Sequence, residues 1–522
     1  MSIKSRVFSY TLYSGVSIYV ESFIGLFISI LISRALGAED LGVYSLMIWF
    51  SSLGITLANG GLNTAAIKFL AETQSCAKTP SGRSVFRYIF RLQMFFLPVA
   101  IVFSLLIAKQ LLGNAMDEEH TLLLFAVVLA IVPKAMQVFY LSVIKGYESF
   151  KSIFFINIIV TPLNLITVII VILADGGIAQ FIAAYLMITL LFFIVSWYFT
   201  RKLISSEDEI KITTPKENIS DEYKYRINHF VKIATINAFL FFILDYGIEI
   251  LFLSWLSNSS DAGYYTVGFR LAESVITMVP GIFSFILLPI MAKSMGEGIE
   301  ILTHRFKESG RFLVIIASPF IAFGVVFAEL IIETLYGQEM LPAAMPLRVL
   351  LFCSSFTMLS ALALSVLLSM DRQVFIFKIL FVAAILNVVL DIVLIQYFSL
   401  AGAVAASVIT QIGFTLACQV LVSRILNTRL PYLEYVKIFS ISYVLLIPLY
   451  VVYTMTLNIW LVLLGGGVFI MLYFFLVMYW FKLSREEVSI IHSYAEKVPV
   501  LKSIFSNKLY LWIDSRYAVK SG

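Results

Sequence analysis

The sequence predicts an all-α, polytopic membrane protein. Fourteen transmembrane helices are expected: two six-helix lobes around a central cavity, then two extra C-terminal helices. Three observations carry this. Of 522 residues, 60% are hydrophobic and 13% charged, against about 45–50% apolar and about 25% charged in soluble domains. The apolar residues gather in continuous runs of the length that crosses about 30 Å of hydrocarbon. The chain also repeats itself across the first twelve of those runs. The mean hydropathy of +0.95 excludes a secreted domain, a soluble enzyme and a nucleic-acid binder. The net charge of +5 is too small for this length to speak of nucleic acid. Three cysteines suit neither a disulfide framework nor a zinc site.

The runs fall at 11–33, 42–61, 92–112, 121–143, 153–173, 177–199, 230–255, 262–291, 312–336, 344–370, 374–398, 400–425, 435–456 and 460–481. They do not alternate, which excludes a closed barrel. The first run is too long for the apolar stretch of a signal peptide and carries Glu21 near its middle, so it reads as a retained helix. Tight links around Asp175, Asp261 and Ser399 make the flanking spans antiparallel hairpins.

Lysine and arginine set the orientation. Of the 37, only Arg34, Lys109 and Arg348 face outward when the N-terminus is cytoplasmic. Lys134 and Arg270 lie deep in spans, and the rest fall on inward segments. Both termini are therefore expected in the cytoplasm. The organisation follows: an N-lobe at 1–200, a cytoplasmic linker at 201–228, a C-lobe at 229–426, the last two spans at 427–482, and a tail at 483–522. The linker is mixed in charge and contains Pro215. In the tail, Val488, Ile491 and Tyr494 recur at helical spacing near Lys497, Lys502 and Lys508. That pattern fits helices on the inner leaflet, with a mobile tail as the alternative.

The repeat has an offset of about 221–225 residues. Asp40-Leu41-Gly42-Val43-Tyr44-Ser45 opens the second span, and Asp261-Ala262-Gly263-Tyr264-Tyr265-Thr266 the eighth. Leu163-Asn164-Leu165-Ile166 in the fifth matches Leu386-Asn387-Val388-Val389 in the eleventh. Gly177-Ile178-Ala179 and Gly402-Ala403-Val404 open the sixth and twelfth. Six spans return the chain to its starting side, so the halves share one orientation about an axis along the membrane normal. Two such bundles rocking about a crevice make a carrier with alternating access.

A charge at the bilayer centre costs about 2.5–3.5 kcal/mol or more, so such residues face a cavity or a partner. Asp245 and Glu249 share a helix face in span seven, as do Arg270 and Glu273 in span eight. The hairpin at Asp261 puts Glu249 and Arg270 at depths within about 5 Å. A contact between them is within reach, either as a packing salt bridge or as a ligand site with exchangeable partners. Lys134 follows Pro133 and is neutral, snorkels or awaits an anion. Glu21 is a proton or sodium site, or the partner of Lys134. Asp391 lies in span eleven, where Asn387 reads as an interhelical anchor, as Asn164 does in span five. Arg348 serves the cavity or reaches the outer interface. There is no Gly-x-x-x-x-Gly-Lys-Ser/Thr run, so no nucleotide hydrolysis by that route.

The run Ser33-Arg34-Ala35-Leu36-Gly37-Ala38-Glu39-Asp40-Leu41-Gly42-Val43-Tyr44-Ser45-Leu46, between spans one and two, resembles the opening motif of the prokaryotic polysaccharide flippases. Gly61-Leu62-Asn63-Thr64-Ala65 with Lys68 is similar to the segment that follows there. Lys145-Gly146-Tyr147-Glu148-Ser149-Phe150 is similar to that family's link between spans four and five. The resemblance implies membership of the multidrug/oligosaccharidyl-lipid/polysaccharide exporter superfamily, with two lobes around a cavity. The implied cargo is an undecaprenyl-diphosphate-linked oligosaccharide. It is flipped from the inner to the outer leaflet of a bacterial cytoplasmic membrane for O-antigen, capsule or exopolysaccharide assembly, alongside membrane lipids and other polysaccharide assembly proteins. The implied diphosphate ligands are Lys134 and Arg270, with Arg348 and Arg34 after them. No cofactor is implied. Proton or sodium coupling falls to Asp245, Glu249, Glu21, Asp391 and Glu273. The rivals are a cation-coupled multidrug exporter of the same superfamily and a membrane polysaccharide polymerase or glycosyltransferase. The polymerase needs an outward or acidic catalytic loop that the sequence lacks.

Overall fold

The computed structural model describes residues 3–480 except 76–79, 113–117, 211–218, 246, 279–280, 371 and 457. The predicted tail at 483–522, part of the linker, and the side chains of Lys109 and Asp245 lie outside the described residues. The helices are α1 (Ile3–Asn59), α2 (Leu62–Ser75), α3 (Gly82–Leu112), α4 (Glu118–Gly146), α5 (Phe150–Leu173), α6 (Ile178–Ile210), α7 (Asp221–Asp245) and α8 (Ile248–Leu256). They continue with α9 (Ser259–Met278), α10 (Gly281–Glu297), α11 (Ile299–Val326), α12 (Ala328–Tyr336), α13 (Ala344–Ser369), α14 (Gln373–Ile425), α15 (Tyr432–Thr456) and α16 (Ile459–Trp480). A 3-10 turn at Gln338–Ala343 precedes α13.

Among the described residues, 11 helical segments are long and apolar enough to cross a membrane. The sequence reading expected fourteen, and the two differ at three places. Both α1 and α14 run through a non-helical residue, Gly37 at φ 73° and Ser399 at φ 48°. Kept straight, the 53 residues of α14 would extend about 80 Å at 1.5 Å per residue, far beyond a bilayer. Instead the chain doubles back: a Cβ on Gly402 would stand 2.2 Å from the carbonyl oxygen of Leu394. The third place is the predicted eighth span, split into α9 of 20 residues and α10 of 17.

The turn between α5 and α6 passes through Asp175 at φ 49°, and the turn inside α14 through Ser399 at φ 48°. These are the hairpins the repeat pairs, and each turns on a non-glycine residue at positive φ. Helices α1 and α9, which carry the other repeated motif, cross at a pair of glycines. A Cβ on Gly42 would stand 1.8 Å from the oxygen of Ser259, and one on Gly263 would stand 2.1 Å from that of Ala38. Only glycine admits backbones so close.

Helices α15 and α16 dock on α11. Ser318 Oγ and Tyr473 OH are 2.6 Å apart, Ser442 Oγ donates to Ser318 at 3.1 Å, and Tyr473 OH donates to the Ile315 carbonyl at 2.8 Å. The outer surface is apolar: Leu173 and Met455 are each 80% exposed, and Leu464 71%. Such a surface belongs against hydrocarbon. The protein is a multi-pass membrane protein.

Candidate functional site

A chamber of about 480 Å³ lies where α1 meets α9. On the first leg of α1, Glu21, Ser22, Gly25, Ser29 and Ile32 line it at helical spacing. On the second leg, Leu41, Tyr44, Ser45, Ile48, Trp49 and Ser52 do the same. Thr266, Arg270, Glu273, Ser274 and Thr277 of α9 face them, with Ile250 of α8. Hydroxyls dominate the polar surface. A second cavity of about 440 Å³ lies in the C-terminal half. Its walls include Phe241, Phe269, Phe414, Leu313 and Met358, with Ser354, Thr357 and Gln411. Glu273 and Thr277 line both cavities.

Contacts between the two halves bridge both ends of this interface. At the Gly37 end, Arg34 donates to the carbonyls of Leu335 at 2.7 Å and Thr334 at 2.6 Å. The Ala38 amide donates to Glu339 Oε1 at 3.0 Å. At the Gly60 end, the Gly61 amide donates to Thr235 Oγ1 at 2.9 Å. Arg226 pairs with Glu72 at 2.8 Å, and Tyr88 OH donates to Asn228 at 3.0 Å. Twenty-odd helical residues, about 30 Å, separate the two ends.

The predicted anion ligands are dispersed. Arg270 lines the chamber, with Nη1 3.4 Å from Glu273 Oε2. It does not meet Glu249, as the depth argument allowed, but its neighbour one turn along α9. Arg34 holds the Gly37 end. Arg348 pairs with Glu329 at 2.9 Å and reaches the Val325 carbonyl at 3.3 Å. Lys134 sits half-buried off the chamber lining, its ammonium 5.5 Å from the centroid of Phe192 on α6. Glu21 faces the chamber while its Oε2 accepts from Asn157 at 2.9 Å; Asn157 also donates to Ser17 at 3.0 Å.

Two predicted coupling residues do converge. A left-handed Gly247, at φ 62°, breaks span seven and starts α8, whose first turn carries Glu249. Both legs of α14 meet it. Ser407 donates a short hydrogen bond to Glu249 Oε1, and Asn387 donates to the same oxygen at 3.4 Å. Tyr265 OH lies 2.8 Å from Ser407 Oγ. Asp391, one turn beyond Asn387, is fully buried. Both its carboxylate oxygens and Asn387 Oδ1 have no partner among the described residues. An ionised carboxylate taken from water without a partner is very costly. This all-oxygen cluster therefore suits a proton or a small hard cation. Glu273 stands apart from it, beside Arg270. The sequence reading missed Ser407, Tyr265, Asn157 and Trp49. An asparagine between isoleucines at 156 and 158 was the visible signal for one of them.

The polysaccharide biosynthesis protein family has a sequence profile that matches residues 30–345. No curated protein matches the chain. Among solved structures, the chain is similar to the lipid II flippase MurJ in an inward closed conformation. Identity is 15%, coverage 90% of this chain and 98% of that one, and the TM-score 0.68. It is also similar to an inward-facing multidrug resistance MATE family transporter of the MOP superfamily, at 14% identity, 78% and 94% coverage and a TM-score of 0.64. A MATE structure in the straight conformation follows at 14%, 81% and 96%, and 0.56. These likenesses establish a shared fold.

Proposed function

The chain belongs to the polysaccharide biosynthesis protein family, and from that premise we propose that it is a flippase for an undecaprenyl-diphosphate-linked oligosaccharide. It moves the cargo from the inner to the outer leaflet of the bacterial cytoplasmic membrane, with both termini inside, and serves O-antigen, capsule or exopolysaccharide assembly. It makes and breaks no covalent bond in the glycan. The observation that carries this reading is the chamber, with its hydroxyls, aromatic rings and charged groups between halves bridged at both ends. Hydroxyls, carboxylates and aromatic faces are the groups that hydrogen-bond and stack on sugars. Arg270, in a low dielectric, offsets part of the hydration a diphosphate loses.

Movement requires one set of end contacts to open while the other holds. The cluster around Glu249 and Asp391 supplies the coupling: a proton or sodium ion neutralises it in one state and leaves in the other. Deleting the gene tests the reading. The surface glycan disappears and its lipid-linked unit accumulates on the cytoplasmic side. An unchanged surface glycan with no accumulation refutes it.

A second reading has one observation in its favour. The cavity beside Phe241, Phe269 and Phe414 borders Glu273, and aromatic faces with a carboxylate suit an organic cation. A drug exporter deleted from the cell would leave the glycan intact and sensitise the cell to cationic dyes.

A further inference from the structure

Lys68 stands on the exposed face of α2, one turn before Glu72. Its ammonium lies 4.4 Å from the ring centroid of Phe230 on α7 and 5.6 Å from that of Phe69. Among the described residues no carboxylate lies within ion-pair distance of it. The guanidinium of Arg226, on α7, lies 5.3 Å from the same Phe69 ring and 5.7 Å from that of Tyr223. The two cationic centres share one ring and therefore stand no more than about 11 Å apart. Arg226 grips Glu72 with both prongs, at 3.0 and 2.8 Å, yet its side chain stays 53% exposed. Packing fixes this arrangement. Ile227 and Val231 of α7 are buried in one cluster with Leu62, Phe69 and Leu70 of α2. Phe69 meets Tyr223 and Phe230 edge-on at 5.7 and 5.6 Å. Two like charges are thus held on one aromatic cluster, across the seam between the halves, and a single shared carboxylate leaves positive charge in excess.

We infer that Lys68 and Arg226 form a receiving site for the diphosphate headgroup of the cargo lipid, at the Gly60 end and outside the chamber. This rests on the flippase reading and deepens it. With the termini inside, the Gly60 end is the cytoplasmic one, where the cargo arrives. The chamber lining includes neither residue, so the site is separate from Arg270. The ligand class follows from the charges. A guanidinium that holds a carboxylate with two prongs holds a phosphate in the same geometry. A diphosphate, with more charge than Glu72, takes the fork in its place. Its second phosphate meets Lys68 as a point charge on the other side of the seam. The headgroup of an ordinary phospholipid offers one phosphodiester and engages only one of the two cations. The rings of Phe69 and Phe230 hold the ammonium at the seam, so little side-chain freedom is lost on binding.

The test is acylation of Lys68 by a water-soluble succinimidyl ester, read by peptide mass spectrometry on the full chain in phosphatidylcholine nanodiscs. Lys378, exposed at the start of α14, is the internal reference. The probes are undecaprenyl diphosphate and phosphatidylglycerol. Undecaprenyl diphosphate slows acylation of Lys68 several-fold and leaves Lys378 unchanged; phosphatidylglycerol at the same mole fraction protects neither. Arg226→Gln raises the concentration giving half-protection about tenfold, the cost of one charge-assisted contact. Glu72→Gln keeps the shape, removes the competing charge and lowers that concentration several-fold, an outcome that a packing role would not produce. Unchanged acylation of Lys68 with undecaprenyl diphosphate overturns the site. Equal protection by phosphatidylglycerol overturns it too, since Lys68 is then an ordinary interfacial anchor. If Arg226→Gln does not assemble, Glu72→Gln decides, and no gain in protection overturns the site. Each of these failures leaves the flippase reading standing. A gene deletion that leaves the surface glycan unchanged without accumulation overturns both.

Discussion

Arg270 and Glu273 stand one turn apart on α9, with Nη1 3.4 Å from Oε2, and Glu273 borders both cavities while Arg270 borders one. Both side chains are about half exposed, at 52% and 49%, so the pair is loose enough to exchange partners. In the proposed cycle a cargo phosphate would compete with Glu273 for the guanidinium and leave its carboxylate free at the second cavity, which it already lines.

Replacing Arg270 tests that exchange. Arg270→Ala is expected to lower surface glycan at least tenfold at equal membrane abundance. Arg270→Lys retains part of the activity, because the charge remains while the two-pronged geometry is lost. Glycan per membrane copy, by blot and lectin binding, is the measurement. Equal activity in all three proteins removes Arg270 from the cargo path.

The Glu249–Asp391 cluster is expected to set the ion response. Asp391→Asn keeps the shape and removes the ionisable group, so the protein still assembles but transport ceases to respond to external sodium or pH. Ser407→Ala removes the short donor to Glu249 and destabilises by about 1–3 kcal/mol, the cost of a lost hydrogen bond to a buried acceptor. Flux in vesicles with imposed gradients checks the first outcome, and thermal unfolding in detergent the second. An ion response in Asp391→Asn equal to wild type rejects the coupling role.

The crossing of α1 and α9 is expected to tolerate no side chain. Gly42→Ala places a methyl 1.8 Å from the Ser259 oxygen, so the helices must part, at a cost of about 1–3 kcal/mol or more. Gly413→Ala meets nothing within 4 Å and gains about 0.5–1 kcal/mol from helix propensity. Opposite shifts in the unfolding midpoint are the expected result.

Arg34 and Glu339 are expected to hold one end of the chamber shut. Removing both, as Arg34→Ala with Glu339→Ala, frees the carbonyls of Thr334 and Leu335 and the Ala38 amide. A cysteine introduced by Ser29→Cys then reacts several-fold faster with an impermeant thiol reagent added outside. Unchanged labelling shows that this latch does not gate access.

The membrane fold was legible because hydrocarbon imposes a length and a composition on every span, and hairpin turns leave short polar marks such as Asp175. The paired turns at Asp175 and Ser399 were readable as a repeat for the same reason. Residues of the proposed ion site were half legible. Glu249 and Asp391 stand out as charges in apolar runs, while Ser407 and Tyr265 are common in spans and gain meaning only when two legs of one hairpin meet. The roles of Arg34 and Arg348 were not legible. An arginine at a span end looks the same whether it meets cargo or caps a carbonyl, and only the packing of α12 against α1 for Arg34, and of α13 against α11 and α12 for Arg348, decides.

The most direct test of the central claim reconstitutes the purified chain in liposomes with lipid-linked oligosaccharide extracted from the producing cell. Membrane-impermeant periodate then reports how much glycan is accessible outside. Protein-containing vesicles should bring glycan from the inner leaflet to the outside far faster than protein-free vesicles, and Arg270→Ala should fall back toward the protein-free rate. Identical rates with and without the wild-type protein would contradict the account.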